Sequence, residues 1–146
     1  MSYDNNGQAL RRLHARLVDI HGGYQHGMDT TGNAEVAIFF DHFRAMHDRH
    51  MADLDRLMLA RGFRPKADGS WATLTHAGMM AFRTPPSRLD ATATDPAMRG
   101  ERILLDLYDE AMEEICNDGD ARTILLAHKA EILRSVAVDT SLAQAA

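Results

Sequence analysis

Asn33-Ala-Glu-Val-Ala-Ile-Phe-Phe-Asp-His-Phe-Arg-Ala-Met-His-Asp-Arg-His-Met-Ala-Asp-Leu-Asp-Arg-Leu-Met-Leu-Ala-Arg61 is the stretch that decides the fold. Within it Val36, Phe40, Phe43, His47, His50, Leu54 and Leu57 recur at alternating steps of four and three, the stripe that a helix turns toward a bundle core. Five of the seven are apolar, and the two that are not, His47 and His50, stand one helical turn apart in the middle of the stripe. They are either core imidazoles held by hydrogen bonds or ligands. Asn33 can cap this helix, Glu35 suits the positive end of its dipole, and Gly62 with Pro65 beyond it stops it at Arg61. The span of 33–61 gives a rod of roughly 40 Å at about 1.5 Å per residue.

Working outward toward the start, Asp29-Thr-Thr-Gly-Asn33 is a short connection of turn and capping residues, so the helix before it is an antiparallel neighbour. That helix is expected over 6–28, opened by Asn5 or Asn6, with Leu10, Leu13, Leu17, Ile20 and Tyr24 as its stripe. Gly22 and Gly23 point to a close neighbour or an early weakening. Toward the end of the chain, Asp68-Gly69 turns and Ser70 caps a short helix over 71–82, which Thr84-Pro-Pro-Ser87 closes. A polar loop reaches Asp95, which with Pro96 opens a third long helix over 96–116. Ile103, Leu104, Leu107, Tyr108, Ala111 and Ile115 are its expected buried face. Asn117-Asp-Gly-Asp120 turns the chain into a fourth helix over 121–138, packed through Leu125, Leu126, Ile132, Leu133 and Val136, and 139–146 reads as a tail. The expectation is an all-α domain over 1–146: a ferritin-like four-helix bundle, two antiparallel hairpins joined by a crossover carrying a short helix.

The totals narrow the function classes. At 146 residues, 45% hydrophobic and 25% charged, the composition is that of one globular domain. A net charge of −5 argues against a nucleic-acid surface, because phosphates call for a basic face. No apolar run approaches the roughly 20 residues of a membrane span, and Met1-Ser-Tyr-Asp-Asn-Asn-Gly7 lacks the charged and apolar regions of a leader. The single Cys116 excludes an internal disulfide, so a cytoplasmic setting is expected, with Cys116 as a small apolar filler.

Asp19-Ile-His-Gly-Gly-Tyr24, Gly69-Ser70 followed six residues later by His76, and Arg99-Gly100-Glu101 in the third helix resemble the small bacterial ferritin-like bundles filed as domain of unknown function 2383. The order and spacing carry the resemblance over Leu10 to Arg134. It implies a cytoplasmic all-α bundle and a link to stress, without an established reaction. The acidic residue that the resemblance implies near the end of the first helix has only Asp29 in its place.

A carboxylate-bridged di-metal site in such a bundle uses Glu-x-x-His from each of two helices and a Glu from each of the other two, since residues three apart share a face. None of the eight His here has Asp or Glu three residues before it, and the first helix holds no Glu. A degenerate site is the alternative: His47, His50, the reversed pair His128-x-x-Glu131, Glu101 and His14 could hold Fe, Zn or Mn. His14 enters this set because pairing the first two helices about residues 30 and 31 brings it level with His47. The plainer account has the central imidazoles facing Glu101 or Glu131 as satisfied core groups. Asp41, Asp48, Asp53 and Asp55 with Arg44, Arg49 and Arg56 then form an ion-paired outer face, and His42 and His26 are solvated. The resulting expectation is a structural or stress-associated bundle without catalysis, pairing as a homodimer through leftover apolar surface. A helical protein-interaction module, through the Ile38 and Phe39 side or Met79-Met80, is a further alternative.

Overall fold

The computed structural model describes residues 2–64 and 91–145. Among them the chain is wholly helical, with four helices and no strand: α1 Ser2–Thr30, α2 Ala34–Ala60, α3 Ala91–Glu114 and α4 Gly119–Ala145. The expected short helix over 71–82, the Ser70 cap, His76, Met79 and Met80, and most of the loop before Asp95 lie outside the described residues.

Both ends of α2 follow from local chemistry. Asn33 stands in extended backbone and its Oδ1 accepts from Glu35 N at 2.9 Å and Val36 N at 3.3 Å. At the other end Gly62 takes φ 78°, which lets Gly62 N bond to Leu59 O and Phe63 N to Met58 O, the paired closure of a Schellman turn. α1 begins four residues earlier than expected and does not weaken at Gly22 or Gly23. Close approaches do occur at Gly27, where a Cβ would lie 2.6 Å from the Phe40 ring, and at Gly7, where it would meet the Phe63 ring. α3 runs from Ala91 through Asp95-Pro96, so these residues do not open it, and the helix there lacks the bond that an N–H at position 96 would make back to Thr92. The expected tail is helix as far as Ala145, its Ala-rich sequence favouring that state.

Cross-helix pairs fix the packing. α1 lies antiparallel to α2 through His14 with Asp55 and His21 with Asp48, and antiparallel to α3 through Tyr24 with Glu101 and Arg12 with Glu114. α4 lies antiparallel to α3 through Tyr108 with His128 and the Met112 carbonyl with Arg122, and to α2 through His50 with Glu131 and Asp53 with His128. α2 and α3 therefore run parallel across the diagonal, and α3 starts at the end of the bundle opposite to that where α2 finishes.

The α2 stripe is buried as spaced, Val36, Phe40, Phe43, His47, His50, Leu54 and Leu57, and Met46 and Met58 join it. It packs on Leu10, Leu13, Leu17 and Tyr24 of α1, Leu104, Tyr108 and Ala111 of α3, and Leu125 and Ile132 of α4. Three expected core residues are instead exposed: Ile103 at 58%, Leu126 at 51% and Leu133 at 48%. On α4 the inward stripe is Ala121, Leu125, His128 and Ile132, so an imidazole occupies a slot that the apolar count had given to leucines. Cys116 is exposed rather than a filler, because Ile115 takes the buried position beside it. Arg61 grips Asp118 through two bonds of 2.6 Å, Asp118 accepts from Ala121 N at 3.2 Å, and α2 is thereby tied to the α3–α4 turn.

Candidate functional site

α2 and α4 meet through a reciprocal exchange. Each carries His-x-x-acid, His50 to Asp53 on one and His128 to Glu131 on the other, and antiparallel packing crosses the partners. His50 Nε2 lies 3.1 Å from Glu131 Oε2 and His128 Nε2 lies 2.8 Å from Asp53 Oδ2. The two imidazoles stack between these bonds, ring centres 4.0 Å apart and planes within 17°. The Tyr108 hydroxyl of α3 sits 3.1 Å from His128 Nδ1. Arg49 and Arg56 reach the outer sides of Glu131 and Asp53.

One turn along α2, His47 Nε2 lies 2.7 Å from Glu101 Oε1, and the Tyr24 hydroxyl donates to the same oxygen at 2.6 Å. The side chains of His47 and Glu101 are both 0% exposed. His47 stacks on Tyr24 and stands edge-on to His50, ring centres 5.8 Å apart. Eight polar side chains from all four helices thus share the middle of the bundle. Three of their buried atoms have no hydrogen-bond partner: His47 Nδ1, His50 Nδ1 and Glu101 Oε2.

Burial, then the adjacent His128, pulls the His50 pKa down to about 4. Burial also lowers His128, against the upward pull of Asp53 and Glu131. Burial alone would raise the Asp53 carboxyl, but the hydrogen bond and charge of His128, with Arg56 beside it, hold it below the usual carboxylate range. Glu131 is held low against burial in the same way by Arg49 and His50. Burial and the charges of Glu101, Asp53 and Glu131 push the Tyr108 phenol well above its ordinary value. Tyr108 is therefore the donor to His128 Nδ1, and His128 carries its proton on Nε2, facing Asp53.

Of the residues singled out from sequence, His47, His50, Glu101, His128 and Glu131 are gathered here. His14 is not: the α1–α2 register sets it 2.8 Å from Asp55, with His47 level with Tyr24 instead. His21 similarly approaches Asp48 at 3.0 Å, although neither His21 Nε2 nor Asp55 Oδ1 makes a hydrogen bond of good geometry. The acidic face of α2 is accordingly divided, since only Asp41 of its four Asp residues pairs solely with Arg44, while Asp48, Asp53 and Asp55 turn to imidazoles. Asp53, Tyr24 and Tyr108 were missed as members of the cluster. The spacing of His50 to Asp53 was the available signal, because it repeats that of His128 to Glu131.

Among the described residues no group of three or more His, Cys, Asp or Glu side chains is placed to hold a metal ion. A groove of about 500 Å³ lies between α1 and α3, lined by Arg11, Arg12, Arg16, Leu107, Glu110 and Glu114, and none of the cluster residues borders it. No described helix is long and apolar enough to cross a membrane.

A family model described as "Domain of unknown function (DUF2383)" matches residues 5–114, from α1 through the end of α3. His128 and Glu131 lie beyond that match. No curated protein and no solved structure matches the chain.

Proposed function

The chain belongs to the DUF2383 family, and we propose that it serves as a structural, ferritin-like helical bundle without catalysis, whose polar core fixes the register of its helices. The observation that carries this is the reciprocal pairing of His50 with Glu131 and His128 with Asp53. A slip of α4 by one turn along α2 strands two buried imidazoles without their carboxylate partners, at a cost of about 1–3 kcal/mol each. The hydrogen-bonding capacity of the cluster is largely spent within the protein: His128 uses both ring nitrogens, and His47 and His50 each give Nε2 to a carboxylate. The parallel placement of α2 and α3 across the diagonal supports the single-crossover, ferritin-like connectivity. The link to stress rests on the resemblance alone. Exposed Ile38, Ile103, Leu126 and Leu133 support self-association as a homodimer.

The test is cooperative unfolding of the full chain in excess chelator, followed by circular dichroism in urea, with sedimentation equilibrium alongside. A single steep helical transition from a dimer supports the structural reading. A chelated chain that is helical but melts without cooperativity overturns it.

A further inference from the structure

We infer that the outer face of α4 docks a second copy of the same helix, packed antiparallel across a two-fold axis. This interface rests on the homodimer reading and narrows it to one face. Thr123, Leu126, Ala130, Leu133 and Ala137 recur at alternating steps of three and four, the seven-residue repeat of a helix–helix seam. At about 100° per residue they stand about 150° round the helix from the inward stripe of Ala121, Leu125, His128 and Ile132. Leu126 and Leu133 are exposed, Thr123 and Ala137 are exposed beside them, and Ala130 is partly buried. α4 thus has two packing faces, of which the bundle uses one.

The flanking charges say what covers this seam and in which direction it runs. One flank carries Asp120, Ala127 and Arg134, all exposed, and the other carries Arg122, Lys129 and Val136. In an antiparallel pair each flank meets its own copy. Asp120 then lies beside Arg134 of the second copy, and by symmetry the contact occurs twice, with Ala127 against Ala127 between the two. On the other flank Lys129 meets Lys129, but Asp109 of α3 already holds that ammonium, and Arg122 is turned to the Met112 carbonyl. A parallel copy brings opposite flanks together instead. It sets Lys129 beside Arg134 of the second copy, like charge on like, and leaves Asp120 without a basic partner. The seam itself agrees. Centred on residue 128, the antiparallel pair sets Leu126 against Ala130 and Leu133 against Thr123 of the second copy, large on small in each layer, whereas the parallel pair sets leucine on leucine and alanine on alanine. A seam of about 21 Å buries less than the roughly 800 Å² per partner of a standard interface, so the dimer dissociates in the micromolar range.

The test is sedimentation equilibrium of the full chain and its variants at low salt, with circular dichroism to check the fold. The wild type is expected to dimerise, and Leu126→Lys/Leu133→Lys to be monomeric with its helix content unchanged. Asp120→Arg and Arg134→Asp are each expected to weaken the dimer by about 5–50-fold, because each turns two exposed attractive pairs repulsive. Combined, they restore the wild-type constant. Asp120 also stands in the first turn of α4, so its reversal costs helix stability, but that cost cannot produce recovery in the combined variant. A wild type that stays monomeric well above micromolar concentration overturns this interface and the homodimer reading together. A dimer that survives the leucine substitutions, or charge reversals that fail to compensate each other, overturns the α4 seam alone and leaves the homodimer to another face. Should the leucine variant fail to fold, the charge series decides.

Discussion

Replacing His128 by Leu, alone and together with Tyr108→Phe, measures how far the cluster acts as a unit. His128 donates to Asp53 at 2.8 Å and accepts from the Tyr108 hydroxyl at 3.1 Å, and leucine of comparable volume keeps the packing while deleting both bonds. Asp53 is about a third exposed and retains Arg56, so its lost bond sits at the low end of the charged range, about 1.5 kcal/mol. Tyr108 is fully buried, and its orphaned hydroxyl adds about 1–3 kcal/mol. The single substitution is therefore expected to cost about 2.5–4.5 kcal/mol. Tyr108→Phe alone leaves His128 Nδ1 unpaired and costs about 1–2 kcal/mol. In the double variant neither orphan exists, so its loss falls short of the summed singles by the two orphan costs together, about 2–5 kcal/mol. Urea unfolding of the four proteins in chelator completes the cycle. Additivity within about 0.5 kcal/mol would refute the coupling.

Three further outcomes follow from individual contacts. Because the folded His50 pKa of about 4 lies below its ordinary 6.5, the unfolded chain takes up the proton first. Metal-free stability is thus full above pH 6.5 and declines toward pH 4, by at most about 3 kcal/mol, and His50→Gln flattens that slope in urea titrations across the range. Asp118→Asn weakens a pair whose side chains are 12% and 10% exposed, costing about 2–3 kcal/mol in thermal unfolding. Since Arg61 holds the Asp118 carboxyl low, its contribution is present above the ordinary carboxylate pKa and fades as pH falls through the lowered value. Gly27→Ala drives a Cβ into the Phe40 ring at 2.6 Å, and the strain of about 1–3 kcal/mol outweighs the roughly 1 kcal/mol helix-propensity gain, lowering the melting temperature.

The central helix was legible because one periodicity, its cap at Asn33 and its stop at Gly62 all agree, and every residue of the stripe is buried. Glu101 and Glu131 were legible as partners because an inward carboxylate needs a donor. What failed was register and face. The turn at residues 30 and 31 suggested a pairing of His14 with His47, but antiparallel helices slide freely in sequence space until side chains fix them, and here His14 meets Asp55. α4 misled because its apolar residues are spread around the helix rather than gathered on one face, so counting leucines could not tell that His128 points inward while Leu126 and Leu133 point out. Asp53 was hidden by its neighbours, since a run of Asp and Arg on α2 reads as a wet face although this one carboxylate turns to α4.

The protonation pattern of the three central imidazoles is the most direct measure of the account. Long-range proton–nitrogen NMR of the labelled, metal-free full chain at about pH 8 reports each tautomer. The account predicts that His47, His50 and His128 all carry their proton on Nε2, facing Glu101, Glu131 and Asp53, with each Nδ1 unprotonated and that of His128 accepting from Tyr108. Protons on Nδ1, or tautomers exchanging rapidly as in free imidazole, would contradict it.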